Sequence, residues 1–482
     1  MTAYLEYAAL PALAAQRRPD RTALRFEGRA WTYRELDRAV AGVAARLARA
    51  GVGAGIRTLL LVENRPEYVF AQFALARLGA VFVVPNPYWT EHEMARVVAA
   101  AGAEAAIYAP QHRASAAALP IAIPVEELAT AATEGMSVPS PSAEPVPATA
   151  ELCVPFSSGT TGLPKGVVHT VGSLSGGIGQ LVAHLGLTDA DRLQISLPLC
   201  HIFGTSMMGA ALAVGAEVTL FERFDFDRCL RQIREDAVTV WPLAGAVAHR
   251  LAHLPQLSRA DFPGLRYFMW GGSAVPAELA ATITDRTGVG FLCSYGMTEA
   301  FAIAFNPVGH PEQWRLDSPG FLSDGIEIRL GAHDEIEVRG PCVAARYTAA
   351  PQDDPFLPGG WFRTGDVGRI DADGRLWIVD RLKDMIKVSG FQVAPAEIEA
   401  ELRRHPAVTD AAVIGRPDPH RGERVVAFVV TAEPVSAEEL LAAAAERLAT
   451  YKLPREIVVV DELPRTAAGK LQRARLRTPE QG

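Results

Sequence analysis

No apolar run in this chain approaches the roughly 20 residues that a membrane-spanning helix needs, so no helical span is expected. Positive charge is not in excess either. The chain has 47 Lys and Arg against 55 Asp and Glu, and the net charge of −8 argues against non-specific nucleic-acid binding as its main task. Cysteine is scarce. Cys153, Cys200, Cys229, Cys293 and Cys342 form no C-x-x-C pair, which excludes a disulfide framework and a cysteine zinc site and suits a reducing, cytoplasmic setting. The first residues, Met1-Thr2-Ala3-Tyr4-Leu5-Glu6, lack the basic-then-apolar order of a secretory leader. Internal repeats and long low-complexity tracts are also missing. Nor is there a Walker A loop, because Lys165 follows Pro164 and precedes Gly166 where that motif requires Gly-Lys-Ser/Thr.

What is present is length and alternation. The chain has 482 residues, 49% of them hydrophobic, enough for more than one domain with a sizeable core in each. Thr32-Tyr33-Arg34-Glu35 has the form of a capping box; Leu36, Val40, Val43 and Leu47 follow at helical spacing, and Gly51 suits the stop. Residues 58–62 read as a buried strand, 66–78 as a helix and 81–84 as a strand. This alternation predicts a mostly parallel, helix-covered sheet. A proline-rich surface connection over 138–150 leads to a second alternating half, from about 193 to 330. The tail has its own order: an acidic-start, basic-end helix over 395–405, a strand over 425–430 and a helix over 437–448. That predicts a small α+β domain of about 100 residues.

The most chemical stretch is Ser157-Ser158-Gly159-Thr160-Thr161-Gly162-Leu163-Pro164-Lys165-Gly166, entered from the apolar run Leu152-Cys153-Val154-Pro155-Phe156. Glycines let backbone N–H groups approach an anion, hydroxyls add neutral donors, and Lys165 adds a mobile positive charge. This is a loop suited to phosphate.

Other clusters follow in order. Pro198-Leu199-Cys200-His201-Ile202-Phe203-Gly204 sets a histidine in an apolar, glycine-ended loop. Gly271-Gly272-Ser273-Ala274 precedes Tyr295-Gly296-Met297-Thr298-Glu299, where an aromatic can stack on a base, a hydroxyl can reach a phosphate and a carboxylate can hold Mg²⁺. Asp366, in Trp361-Phe362-Arg363-Thr364-Gly365-Asp366, can accept from both hydroxyls of a ribose. Asp380-Arg381-Leu382-Lys383-Asp384 and Pro464-Arg465-Thr466-Ala467-Ala468-Gly469-Lys470 close the series. Taken singly, the histidine reads as a core residue, Asp366 as a turn aspartate and Lys470 as a surface charge.

Taken together and in this order, the strings resemble the signatures of the adenylate-forming superfamily of acyl-CoA ligases, adenylation domains and luciferases. Val388-Ser389-Gly390-Phe391-Gln392-Val393-Ala394-Pro395-Ala396-Glu397 resembles the 4-coumarate–CoA ligase and luciferase branch. The resemblance implies an α/β fold: a large AMP-binding domain over 1–380 with helix-covered, mostly parallel sheets, a hinge at 381–383, and a small mobile α+β lid over 384–482. It implies that Ser157, Ser158, Gly159, Thr160, Thr161, Gly162 and Lys165 hold the pyrophosphate of ATP. Ser273, Ala274, Tyr295, Gly296, Asp366 and Arg381 would hold the nucleoside and its α-phosphate, and Glu299 the Mg²⁺. His201, Thr298, Lys383 and Lys470 take catalytic parts, Lys470 in acid activation and Lys383 at the hinge. Trp241, Gly271, Gly272 and Phe301 are expected to line the acid pocket. Three departures stand out: an aspartate at Asp334 where glycine is usual, Ala345-Arg346-Tyr347 in place of Gly-Tyr, and Phe301 where glycine is frequent.

The implied activity is two-step. A carboxylic acid attacks the α-phosphorus of MgATP to give an acyl-adenylate and pyrophosphate, and the thiol of coenzyme A then displaces AMP. A carrier protein's phosphopantetheine arm is the alternative acceptor. A luciferase-like oxygenase and a non-catalytic nucleotide sensor are the remaining alternatives. No nucleic-acid or membrane partner is expected.

Overall fold

The computed structural model describes residues 6–89, 91–135, 146–157, 165–243, 245–272, 275, 277–349, 353–388, 391–418, 422–448, 450–465 and 471–477, with backbone alone at 91–92, 245–246, 391–392 and 422. Contacts divide the chain into two compact units. One comprises 1–327 and 338–362, the other 328–337 and 363–482.

In the large unit the capping box at Thr32 forms as its chemistry predicts. The Thr32 hydroxyl accepts from Glu35 N–H at 3.2 Å, and the Glu35 carboxylate accepts from Thr32 N–H at 2.7 Å. The helix runs Tyr33–Arg49, with Leu36, Val40, Val43 and Leu47 fully buried, and Gly51 follows at φ 93°. Strand Arg57–Leu61, helix Pro66–Arg77 and strand Val81–Val84 also fall where the periodicity puts them.

Two sheets build this unit. The first orders its strands Arg346–Tyr347, Lys165–Thr170, Glu151–Ser157, Val81–Val84, Arg57–Leu61, Ala105–Tyr108 and Ile121–Pro124. From Glu151–Ser157 to Ile121–Pro124 its pairs are parallel. Lys165–Thr170 returns antiparallel on Glu151–Ser157, with Ser157 opposite Lys165. In the second sheet, strands Phe291–Met297, Tyr267–Trp270, Val240–Leu243, Arg192–Ile195, Glu217–Leu220 and Thr22–Phe26 pair in parallel. Ala300–Phe305 turns back antiparallel on Phe291–Met297. Parallel strands bring their carboxyl ends to one edge, where ligands bind in open α/β sheets. Residues 198–201, 271–272 and 298–299 all follow such ends.

In the small unit, strands Phe391–Val393, Ile386–Val388, Gly422–Thr431, Val408–Asp418 and Glu456–Val459 form one sheet. Helices Pro395–Leu402 and Ala437–Ala445 cover it, and Ile398, Leu402, Leu440 and Ala444 join Val413, Val425 and Val429 in a shared core. Both helices end three residues short of their sequence limits. After Leu402 the chain closes in turns, Arg404 N–H to Glu401 O at 3.1 Å and His405 N–H to Leu402 O at 3.2 Å.

All five cysteines are buried and unpaired. Burial pushes the thiols of Cys200, Cys293 and Cys342 up to about 12 and that of Cys229 to about 11, and raises Cys153 as well. Among the described residues no helix is long and apolar enough to cross a membrane.

Candidate active site

Met297 stands opposite Ala300, so Thr298 and Glu299 are the two residues turning between strands Phe291–Met297 and Ala300–Phe305. Gly296 admits this turn because a Cβ there would lie 2.6 Å from Phe301 O. Glu299 is 8% exposed. Its Oε1 accepts from Ser157 Oγ at 3.0 Å and from Tyr347 Oη at 2.9 Å, and its carbonyl accepts from Ala344 N–H at 2.8 Å. Burial first, and then the Glu299 carboxylate, hold the Tyr347 phenol far above its ordinary range, so it stays a neutral donor. Lys165 Nζ lies 5.2 Å from the Tyr347 ring centroid. Ser157, Lys165 and Glu299 are thus brought together, with Tyr347 as a fourth member that the sequence marks only as a departure from Gly-Tyr and to which it gives no role.

Among the described residues no lysine, arginine or histidine ion-pairs with Glu299. A buried carboxylate oriented by two neutral hydroxyls keeps lone pairs for a hard cation. Mg²⁺ takes one or two protein carboxylates and completes its shell with substrate phosphates and water. The donor set fits Mg²⁺ arriving with a nucleotide. Among the described residues no group of three or more His, Cys, Asp or Glu side chains forms a separate metal cage.

The acid side differs in part from expectation. His201 is the N-cap residue of helix Ile202–Val214, so the string expected as a loop is helical from Ile202. Gly204 enables this. A Cβ there would lie 2.3 Å from Pro198 O, so the glycine lets the first helical turn sit on the preceding loop. Asn64, also unforeseen, clamps that loop: its Nδ2 donates to Leu197 O at 2.8 Å and its Oδ1 accepts from Leu199 N–H at 2.7 Å. Gly271 faces Ser294 Oγ and the Phe203 ring, at 3.0 and 3.8 Å from the position of a Cβ. Gly272 is exposed and takes φ 83°. Phe301 is half-buried on the strand after Glu299. Trp241 does not stand on a pocket wall. It is 0% exposed, tilted against Phe262 and Phe268 in the aromatic core, which corrects its expected place.

In the small unit, Asp366 and Arg381 are opposite residues of antiparallel strands Trp361–Ile370 and Arg375–Arg381, and Arg381 Nε donates to Asp366 Oδ1 at 2.6 Å. Gly365, at φ 71°, allows the approach, and its N–H donates to Glu335 Oε1 at 3.0 Å. Lys383 follows in the next turn. Partial burial, and then the Arg381, Arg477 and Arg473 guanidiniums against the pull of Asp384, hold its ammonium below the usual lysine range. Ser158, Gly159, Thr160, Thr161, Gly162, Ser273, Ala274 and Lys470 lie outside the described residues.

The AMP-binding enzyme model matches residues 12–348, and the AMP-binding enzyme C-terminal domain model matches 397–470. Feruloyl-CoA synthase of Amycolatopsis sp is 35% identical over 487 residues, covering 97% of both chains. ATP-bound MatB from Rhodopseudomonas palustris superposes with a TM-score of 0.90 at 27% identity over 98% of both chains. The o-succinylbenzoate CoA synthetase of Bacillus subtilis, in complex with its acyl-adenylate intermediate, does so with a TM-score of 0.84 at 31% identity over 98% of both.

Proposed function

Since the chain belongs to the AMP-binding enzyme family and is an AMP-forming acid–CoA ligase, we propose that its substrate is an aryl or arylalkenyl carboxylic acid and that Glu299 is the carboxylate that receives Mg²⁺ with ATP. The observation that carries the second part is the Glu299 corner, with its two hydroxyl donors and no cationic partner among the described residues. The family's recurrent aryl acids, in feruloyl-CoA synthase and 2-succinylbenzoate–CoA ligase, support the first.

In the first step a carboxylate oxygen of the acid attacks the α-phosphorus, and the bond from that phosphorus to the bridging oxygen breaks as pyrophosphate leaves. Mg²⁺, when bound, neutralises phosphate charge. Ser157 and Lys165 hold the β- and γ-phosphates, Thr298 donates to the α-phosphate, and Lys470 bridges the acid carboxylate and the α-phosphate. Tyr295 and Gly296 flank the adenine with Ser273 and Ala274, and Asp366 accepts from the ribose hydroxyls with Arg381 beside it. His201, Phe301, Gly271 and Gly272 border the acid. In the second step the thiolate of coenzyme A attacks the acyl carbonyl carbon and AMP departs with the C–O electron pair. Lys383 is the hinge between the two states, within a hinge at 381–383 that carries a lid over 384–482. The reaction takes place in the cytoplasm.

The test is acid-dependent pyrophosphate release across aryl, arylalkenyl and aliphatic acids, with mass detection of the thioester using coenzyme A or a phosphopantetheinylated carrier protein. Aryl acids with coenzyme A are expected to give the highest kcat/KM. Glu299→Gln, which still accepts from Ser157 and Tyr347, is expected to raise the Mg²⁺ needed for half-maximal release by about tenfold or more. An aliphatic preference sinks the substrate assignment, and an unchanged Mg²⁺ requirement sinks the metal assignment.

A further inference from the structure

His169 has no part in the reaction above, yet it touches the turn that carries it. It lies on strand Lys165–Thr170, four residues beyond Lys165, and is 0% exposed. Its Nε2 donates to the carbonyl of Thr298 at 2.8 Å. A carbonyl only accepts, so Nε2 carries the proton and Nδ1 of the neutral ring is an acceptor. Ser173 Oγ lies 3.2 Å from Nδ1 and offers it a proton that it shares with the Thr170 carbonyl at 3.3 Å. The ring edge meets the Phe301 ring at 5.5 Å between centroids and 68° between planes. Phe301 in turn fills a notch in helix Val171–His184 at Gly177, where a Cβ would lie 2.2 Å from the ring.

We propose that His169 is a positioning residue for adenylation: its Nε2–H fixes the peptide of Thr298, and so the turn bearing Glu299, while its ring edge holds Phe301 in place. One side chain thereby ties the phosphate corner to the acid side of the site. The inference rests on the function proposed for Thr298, Glu299 and Phe301. Burial pushes the imidazole down to about 4, so the donor arrangement is constant at neutral pH.

The experiment compares His169→Leu, His169→Gln and Ser173→Ala in the full-length enzyme by acid-dependent ATP–pyrophosphate exchange, with kcat, both KM values and the thermal midpoint measured for each. Leu keeps the volume and loses the donor, and a misplaced turn is expected to lower kcat by about 10- to 100-fold. Gln restores a donor toward Thr298 O and is expected to recover most of that loss. Ser173→Ala, which takes away the contact that holds Nδ1 and so loosens the ring, is expected to lower kcat in the same direction by less. Loss of thermal midpoint without loss of kcat overturns the inference, as does equal loss in Leu and Gln. Should Leu not fold, an unchanged kcat in Ser173→Ala overturns it. A wild-type enzyme inactive with every acid overturns the underlying function instead, and an active wild type with unaffected variants overturns this inference alone.

Discussion

Between about pH 4 and 6.5, His169 is a base that the folded chain holds neutral and the unfolded chain does not. Its ordinary value is near 6.5 and burial lowers it to about 4, against a raising pull from the Thr298 carbonyl. Above the unfolded value neither state binds the proton and stability is full. As pH falls toward 4 the unfolded chain takes up a proton that the folded chain refuses, and stability drops. At roughly 1.4 kcal/mol per pH unit the loss approaches about 3 kcal/mol. Urea unfolding at neutral pH and near pH 4.5 is expected to show this fall for the wild type, with a visibly flatter dependence for His169→Gln. Parallel dependences would assign the acid sensitivity to other groups, His184 among them, which burial also lowers.

At the scale of elements, helix Val171–His184 shows why glycine appears inside a helix. Gly177 is filled by Phe301, while Gly179 has nothing within 4 Å of a Cβ. Gly179→Ala is expected to stabilise by up to about 1 kcal/mol through helix propensity. Gly177→Ala makes the same local gain but must displace an aromatic ring, and overpacking costs about 1–3 kcal/mol, so it is expected to destabilise and to shift acid preference. Thermal melts of the two variants decide this, and a rise in both refutes the notch. The same contrast separates what the sequence could and could not reveal. Thr32 and Glu35 meet across three residues, so that helix start was legible. Ser157 and Tyr347 reach Glu299 across 142 and 48 residues, and His169 reaches Thr298 across 129. Only folding brings such partners together; the local pattern marks Tyr347 merely as a departure from Gly-Tyr, and nothing in it marks Asn64 or His169. Trp241 was misplaced for a related reason. The run Val240-Trp241-Pro242-Leu243 is buried on both faces, so no alternation told which way the indole points.

At the scale of the molecule, the candidate residues are divided between two compact units. Ser157, Thr298 and Glu299 belong to the large one, and Asp366, Lys383 and Lys470 to the small one. Lys470→Ala is expected to lower acid-dependent pyrophosphate exchange by roughly 100- to 1,000-fold while sparing thioester formation from supplied acyl-adenylate. Lys383→Pro is expected to do the reverse, since proline fixes a backbone torsion at the hinge. Equal loss of both half-reactions in either variant would refute the division of labour. Such a cycle can be watched directly because of where the cysteines lie. Five interior thiols held in their unreactive form leave the outside of the protein silent toward thiol reagents. A cysteine introduced on the surface of each unit would react far ahead of them. Two dyes placed there would report the distance between the units at every stage of turnover, with no native residue removed to make room for them.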